Sequence, residues 1–289
     1  MNENGPSQPS LKIEQIERIS TEDFWKGFVR PQKPVVIKAM MEDWPAMQKW
    51  SFEYLAGLST DEKVLLEFGN VMQQQTEFKE IEFSDHVRRI MDKDNAEEDG
   101  QISYLSVFDI FKILPELKKD VDFSLLSERT IKDFIFGWIG PKGTVTDYHC
   151  DWADNLLAQI CGSKELRLVS SEQSHCMYPS RKFDIGSTLS RVETDPLDKD
   201  RFPLFEQARE YHTELHPGEM LFTPRGWWHQ VRSLVKSISV NNFGLGIKGL
   251  IIDGGREKMK EFLHNIGLYA RTDCTCHMMK DGKRIKRRF

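Results

Sequence analysis

Thr146-Asp147-Tyr148-His149-Cys150-Asp151, followed by Trp152-Ala153-Asp154-Asn155-Leu156-Leu157-Ala158-Gln159-Ile160-Cys161-Gly162-Ser163-Lys164, decides how this chain is read. Leu156–Ile160 is a short apolar run closed by Gly162, the pattern of a buried strand, and His149-Cys150-Asp151 falls where the preceding strand is expected. Side chains alternate across a strand, so residues i and i+2 project from one face with Cα atoms about 6.5 Å apart. An imidazole and a short carboxylate at that spacing can converge on one metal ion. A third ligand must come from another strand, and His229, in Pro224-Arg225-Gly226-Trp227-Trp228-His229, lies 80 positions after His149.

Two histidines and one carboxylate form the facial triad of non-haem Fe(II) oxygenases, which leaves the opposite face of the metal open. A competing set, His212-Thr213-Glu214, is expected in a strand beside that of His229, but no separate third ligand accompanies it. His212 and His216 are poor co-ligands, because four residues along a strand separate them by about 13 Å.

Further short runs extend the strand pattern outward. Phe134–Ile139, Leu166–Val169, Glu219–Phe222 and Ser237–Val240 are apolar or alternating and are punctuated by Gly, Pro or Asn, as in an antiparallel sandwich or barrel. Ser171 to Tyr211 is polar and reads as a long insertion between barrel strands. Towards the N-terminus, Ser20-Thr21-Glu22-Asp23 has the capping pattern of a helix start. Pro34–Lys38 and Lys63–Phe68 read as strands, Trp50–Leu55 and Ser84–Met91 as helices, and Asp92–Gly100 as an exposed loop. Arg256–Ile266 has helical periodicity, with Met259, Phe262, Leu263 and Ile266 on one side, a face that suits a homodimer or an intramolecular contact.

The 289 residues suit one large domain with appendages, and 39% hydrophobic content supplies a sizeable core and excludes wholesale disorder. A net charge of −5 argues against a surface devoted to nucleic acid, although six Lys or Arg crowd into residues 280–289. Neither a signal-peptide core nor a membrane-spanning run is present in the sequence, which predicts a soluble cytoplasmic or nuclear chain without membrane attachment. Five cysteines predict reduced thiols rather than a disulfide framework. Cys274-Thr275-Cys276-His277 lacks a second ligand pair at the usual zinc spacing, so a solvated tail is expected there.

Residues 146–164 resemble the iron-binding strand pair of JmjC-type, cupin-fold 2-oxoglutarate oxygenases. His216–His229 resembles their distal-histidine hairpin, and Ser237-Ile238-Ser239-Val240-Asn241 the strand after it. The resemblance covers roughly residues 12 to 246. Within the family the chain is similar to the small hydroxylases, which act on a protein side chain or a modified tRNA base. It implies a mainly β fold, a double-stranded β-helix (cupin or jelly-roll) core with flanking α-helices. It further implies His149, Asp151 and His229 as iron ligands, Lys164 as the cation for the distal carboxylate of 2-oxoglutarate, and Thr146 as a hydroxyl partner. Tyr104, Asn155 and Asn241 match further cosubstrate positions. The organisation expected is an arm at 1–11, α/β elements at 12–132, a catalytic core at 133–246, a helical segment at 247–279 and a basic tail at 280–289.

The implied activity is hydroxylation of a macromolecular substrate, protein or tRNA, with Fe(II), 2-oxoglutarate and O2, releasing succinate and CO2. An inactive cupin-fold binding module and a JmjC lysine demethylase are the alternatives. Two points depart from simple expectation. Thr146 is three residues from His149, so strict alternation sends the two to opposite faces unless a twist or bulge intervenes. Gly162-Ser163-Lys164-Glu165-Leu166-Arg167 lacks the more basic run of the family. Cys150 is expected to point away from the metal, and Trp152 and Trp228 to be core aromatics.

Overall fold

The computed structural model describes residues 11–58, 63–68, 77–92, 97–98, 101–194, 196–271, 273–280 and 283–286. Its strands begin with β1 (Leu11–Lys12), β2 (Glu14–Ile16), β3 (Val35–Ile37), β4 (Lys63–Phe68), β5 (Glu77–Glu82), β6 (Glu97–Glu98), β7 (Gln101–Phe108) and β8 (Lys132–Gly140). The ligand segment and the chain beyond it form β9 (Val145–Asp151), β10 (Asp154–Cys161), β11 (Lys164–Val169), β12 (Ser187–Leu189), β13 (Glu210–Leu215), β14 (Met220–Thr223), β15 (Trp228–Ser233) and β16 (Ser237–Leu245). A hairpin of β17 (His277–Lys280) and β18 (Lys283–Lys286) completes them.

Apart from that hairpin, the described strands form two large sheets, one ordered β1-β13-β11-β15-β9-β12 and the other β2-β3-β14-β10-β16-β8-β7-β4-β5 with β6 beside β7. From β8 to β11, and again from β13 to β16, the chain shuttles between them, which is the double-stranded β-helix. All pairings are antiparallel except β1 with β13 and β2 with β3. The fold is therefore mainly β with flanking helices.

Both faces of the larger sheet are covered, so β10 reads as a continuous buried run rather than a clean alternation. Leu156, Ala158 and Ile160, with Ile238 and Val240 of β16, face a helical layer that contributes Phe24, Phe28, Phe52, Leu55, Phe83, Val87 and Ile90. Ser20 begins that layer as expected, its hydroxyl accepting from Asp23 N, and Ser51 caps Phe52–Gly57 in the same way through Tyr54 N. Asn155, Leu157, Asn241 and Phe243 occupy the alternate positions and face the other sheet across a cavity.

The smaller sheet needs a cover of its own, and the polar 171–211 insertion supplies it. Cys176, Met177, Val192, Phe202, Phe205 and Ala208 pack with Tyr148, Val169 and Trp228 on its outer face, and Cys150 packs at the edge of this cluster. The insertion also contributes β12, which pairs with β9 so that Leu189 lies opposite His149 and Ser187 opposite Asp151.

Several sequence expectations require correction. Leu11, read with the arm, is in β1 against Tyr211, whereas residues 1–10 lie outside the described residues. Asp92–Gly100, read as a loop, starts at the end of helix Phe83–Asp92 and contains β6; residues 93–96, 99 and 100 lie outside the described residues. The strand of His212 is separated from that of His229 by β11, because β11 has room for a partner on each edge. Lys280–Phe289, read as a tail, returns on itself as the β17–β18 hairpin, with 281–282 and 287–289 outside the described residues.

Cys274–His277 is no solvated tail either. Cys276 is 1% exposed, and Cys274 bridges Phe183 of the insertion. On helix Gly255–Asn265, Met259 and Phe262 are exposed, as is Ile266 immediately after its last residue. No helix among the described residues is long and apolar enough to cross a membrane.

The turn from β10 to β11 aims Lys164 into the cavity and depends on Gly162. Its φ is +73°, and a Cβ there would stand 2.1 Å from the carbonyl oxygen of Lys236, a backbone atom that cannot swing aside. Gly162→Ala should cost about 2 kcal/mol or more from the left-handed φ and the clash together. Urea unfolding with an unchanged midpoint would contradict this.

Candidate metal centre

Strand register brings the three donors together. His149 and His229 are direct partners across β9 and β15, so their side chains leave the same face, and their ring centroids are 4.1 Å apart. Asp151, two residues beyond His149, shares that face: Oδ1 lies 3.8 Å from His149 Nε2 and Oδ2 lies 3.4 Å from His229 Nε2. All three are at least nine-tenths buried.

The tautomers follow from the neighbours. His149 Nδ1 lies 2.8 Å from the carbonyl of Asp147, and His229 Nδ1 lies 3.1 Å from that of Trp227. A carbonyl can only accept, so each Nδ1 carries the proton and each Nε2 presents its lone pair towards Asp151. This is the outer hydrogen bond by which proteins orient metal-ligating histidines. Burial pushes the Asp151 carboxyl up to about 6, and burial beside His149 holds His229 well below the ordinary imidazole value. Two neutral imidazoles and a carboxylate on one side of a cavity fit a first-row dication such as Fe(II) and leave its other positions open to the cavity.

Neighbouring turns hold this set in place. Asp154 accepts from Arg225 N at 3.0 Å and Gln32 Nε2 at 3.1 Å, and Gly226 N donates to Asp151 O at 2.8 Å. These bonds tie the β9–β10 turn to the turn that launches His229. Inside the cavity a relay runs from Trp138 Nε1 to Asn241 Oδ1 at 2.8 Å, and from Asn241 Nδ2 to Asn155 Oδ1 at 3.0 Å. It ends where Asn155 Nδ2 reaches Asp151 Oδ2 at 3.5 Å. Asn155 and Asn241 are therefore strand residues that face inward, and each amide is oriented by its neighbour.

Thr146 reaches the same cavity through a bulge. His149 pairs with His229 but Thr146 pairs with Val231, three residues on β9 against two on β15. The extra residue restores Thr146 to the inward face, where it hydrogen bonds Tyr104. Lys164, 1% exposed on β11, donates from Nζ to Ser239 Oγ at 2.6 Å. Among the described residues no carboxylate lies within ion-pair distance of that amine, and burial lowers its ammonium to about 7.

All eight predicted residues thus line one cavity, together with Trp138, Leu157, Leu166, Thr223, Val231 and Phe243. The competing His212 and Glu214 do not join it; Glu214 instead makes an exposed contact with His216 at 3.7 Å. Trp228 is a core residue 2% exposed, its indole donating to Ser174, while Trp152 is half-buried beside Gly186. Sequence reasoning missed Trp138 and Ser239. The signal for Ser239 was present, since it shares an i, i+2 face with Asn241, but Trp138 sits in a run read only as apolar.

The chain matches the family model described as Cupin-like domain over residues 21–243. It is 34% identical over 241 residues to lysine-specific demethylase 8 of Xenopus tropicalis, an alignment that covers 79% of this chain and 52% of that protein. It is 35% identical over 240 residues to the protein of the same name from Danio rerio, covering 81% and 58%. With human tRNA wybutosine-synthesizing protein 5 it shares 28% identity over 251 residues, covering 81% and 78%. The chain spans little more than half the length of the two demethylases.

Cutting the relay at Asn155→Ala should loosen Asp151 and weaken Fe(II) binding about 10- to 100-fold, as loss of outer-shell bonds typically does. Anaerobic calorimetric titration measures it, and equal affinity in the variant would show that the relay does not orient the carboxylate.

Proposed function

This chain belongs to the cupin-like domain family, the JmjC-type oxygenase fold, and from that premise we propose that it is an Fe(II)- and 2-oxoglutarate-dependent oxygenase that hydroxylates a protein side chain. The observation that carries the reading is Lys164, a fully buried amine facing the same cavity as the His149, Asp151 and His229 donors. A buried ammonium without a carboxylate neighbour is costly and favours an anionic ligand. Lys164 is four residues along β11 from Leu168, the residue paired with His229, which is about 13 Å by strand rise. That separation suits an acid with a carboxylate at each end, one held by Lys164 and the other near the metal ligands.

When bound, Fe(II) supplies the redox chemistry that couples oxidative decarboxylation of the 2-oxo acid to oxidation of a C–H bond. The balance is one O2 and one 2-oxoglutarate consumed, one succinate and one CO2 released, and one C–H converted to C–OH. The chain's own residues bind and orient. Lys164 and Thr146 donate to the distal carboxylate, with Tyr104 positioning the Thr146 hydroxyl. Asn155 and Asn241 fix Asp151 and present amide groups on the same side. Leu157, Leu166 and Val231 form apolar walls that exclude water from the reacting groups.

A protein substrate is favoured over RNA by the net charge of −5 and by the identity to proteins named lysine-specific demethylases. Those same relatives support a second reading, N-demethylation. It uses the same oxidation, because hydroxylation of an N-methyl carbon gives a hemiaminal that releases formaldehyde.

Incubation with Fe(II), 2-oxoglutarate and peptide or tRNA fractions should yield succinate together with a mass gain of one oxygen atom in a peptide. Loss of a methylene with formaldehyde release would select demethylation, and oxygen gained by the tRNA fraction would select RNA. No succinate above that of His149→Ala with any fraction would instead indicate a binding module. Lys164→Met should weaken 2-oxoglutarate binding by about 2–5 kcal/mol, the usual cost of stranding a buried charge.

The Lys164 amine must be charged to pair with the acid. Its value of about 7 in the free protein therefore makes binding weaken as pH rises above 7, by up to about tenfold per unit. In Lys164→Arg, whose guanidinium stays charged, the slope should disappear. The same slope in both proteins would remove Lys164 from the binding site.

A further inference from the structure

Outside the cavity, the C-terminal segment assembles a second donor cluster. His264, Cys274, Cys276 and His277 each place one ligand atom such that all four lie within 4.8 Å of one another. We propose that these four residues form a closed structural zinc site that fastens the C-terminal segment to the cavity wall beside β12. It is distinct from the His149, Asp151 and His229 set in residues, in donor chemistry and in place.

The distances suit one tetrahedral ion. His264 Nε2 is 3.3 Å from Cys276 Sγ, and His277 Nδ1 is 3.3 Å from Cys274 Sγ and 3.1 Å from Cys276 Sγ. Sulfur and nitrogen ligands at 2.3 and 2.0–2.1 Å from one zinc stand about 3.6 Å apart, so a few tenths of an ångström of expansion admits the ion. The chemistry agrees: two thiolates balance the charge of Zn²⁺, and two imidazoles complete a tetrahedral sulfur–nitrogen set that leaves no open position. Binding would release the two thiol protons to solvent as the zinc–sulfur bonds form.

One histidine is already oriented for ligation. His264 Nδ1 lies 2.9 Å from the carbonyl of Tyr269 and must carry the proton there, which leaves Nε2 a lone pair directed at Cys276. The ring is 4% exposed and stacks on Phe183 with centroids 4.3 Å apart. The histidine missing from the spacing argument is thus on helix Gly255–Asn265, ten residues before Cys274, and folding rather than sequence proximity supplies it.

The surrounding bonds indicate what the site would hold. Phe183 N donates to Asp273 O at 2.9 Å and Thr275 N donates to Phe183 O at 3.0 Å, while the Thr275 hydroxyl donates to Asp184. Asp184 accepts from Ser187, the residue opposite Asp151, and Gly186 O accepts from Trp152 N at 3.2 Å. A zinc ion at the cluster would therefore fix, through residues 183–187, the strand that flanks the iron ligands.

Metal analysis of the purified full chain carrying His149→Ala and Asp151→Ala, which removes the iron set, tests the proposal without recourse to activity. About one zinc per chain should remain after dialysis, and added Cys276→Ser should reduce it to below about a tenth of that. Exchange with Co²⁺ should give the intense visible bands of tetrahedral thiolate ligation and the associated sulfur charge-transfer absorption. His277→Ala, at a half-buried ligand, provides a second variant should Cys276→Ser misfold, and it should shift those bands. Three results would each overturn the site: a folded parent chain without zinc or cobalt uptake, zinc content unchanged in Cys276→Ser, or a chain two hydrogens lighter because Cys274 and Cys276 had joined as a disulfide.

Discussion

The burial of a carboxylate, two imidazoles and an amine between two β-sheets is the constraint that shapes the molecule around it. Each such group loses hydration worth several kcal/mol in the interior and needs well-aligned neighbours to persist there. The direction of each shift records this cost, with Asp151 pushed up to about 6 and Lys164 down to about 7, each towards its neutral form. A dication beside Asp151 and an anion beside Lys164 would reverse both. The cavity is thus electrostatically matched to a metal and an acid at its two ends.

Everything around the cavity serves to keep these groups in register. The helical layer covers the outer face of one sheet through Phe24, Phe83 and Leu55, and the 171–211 insertion covers the other through Met177, Phe202 and Phe205. With both outer faces sealed, the inward face can be polar. Alternation along β9 expresses the division: Tyr148 and Cys150 enter the apolar cluster while His149 and Asp151 face the cavity. The Asp154–Arg225 bonds and the Trp138–Asn241–Asn155 relay then fix angles that sheet geometry alone leaves loose.

How much of this the sequence disclosed depends on how local each determinant is. The His149-Cys150-Asp151 pair was legible because strand alternation is a two-residue rule, and Ser20 was legible because capping is a three-residue rule. Thr146 was not derivable, since a bulge is a property of two strands in register and β15 lies some eighty residues away. The strand at Ser187–Leu189 was hidden in a polar stretch because its stability comes from pairing with β9 rather than from its own composition. The His264, Cys274, Cys276 and His277 cluster failed the spacing test because one ligand comes from a helix and the others from a short segment, ten residues later, that runs from a bridge into a hairpin. In each case the missing information was a tertiary contact.

In the proposed function, the His149, Asp151 and His229 donors hold iron in a cavity where Lys164 receives the far end of 2-oxoglutarate. Anaerobic visible absorption of the full chain with Fe(II), titrated with 2-oxoglutarate, addresses both halves at once, because chelation of the 2-oxo acid to iron produces a charge-transfer band. A saturable band is expected in the wild-type chain, with its loss in Asp151→Ala and saturation only at much higher 2-oxoglutarate in Lys164→Met. A wild-type chain that binds Fe(II) yet develops no band on adding 2-oxoglutarate would contradict it.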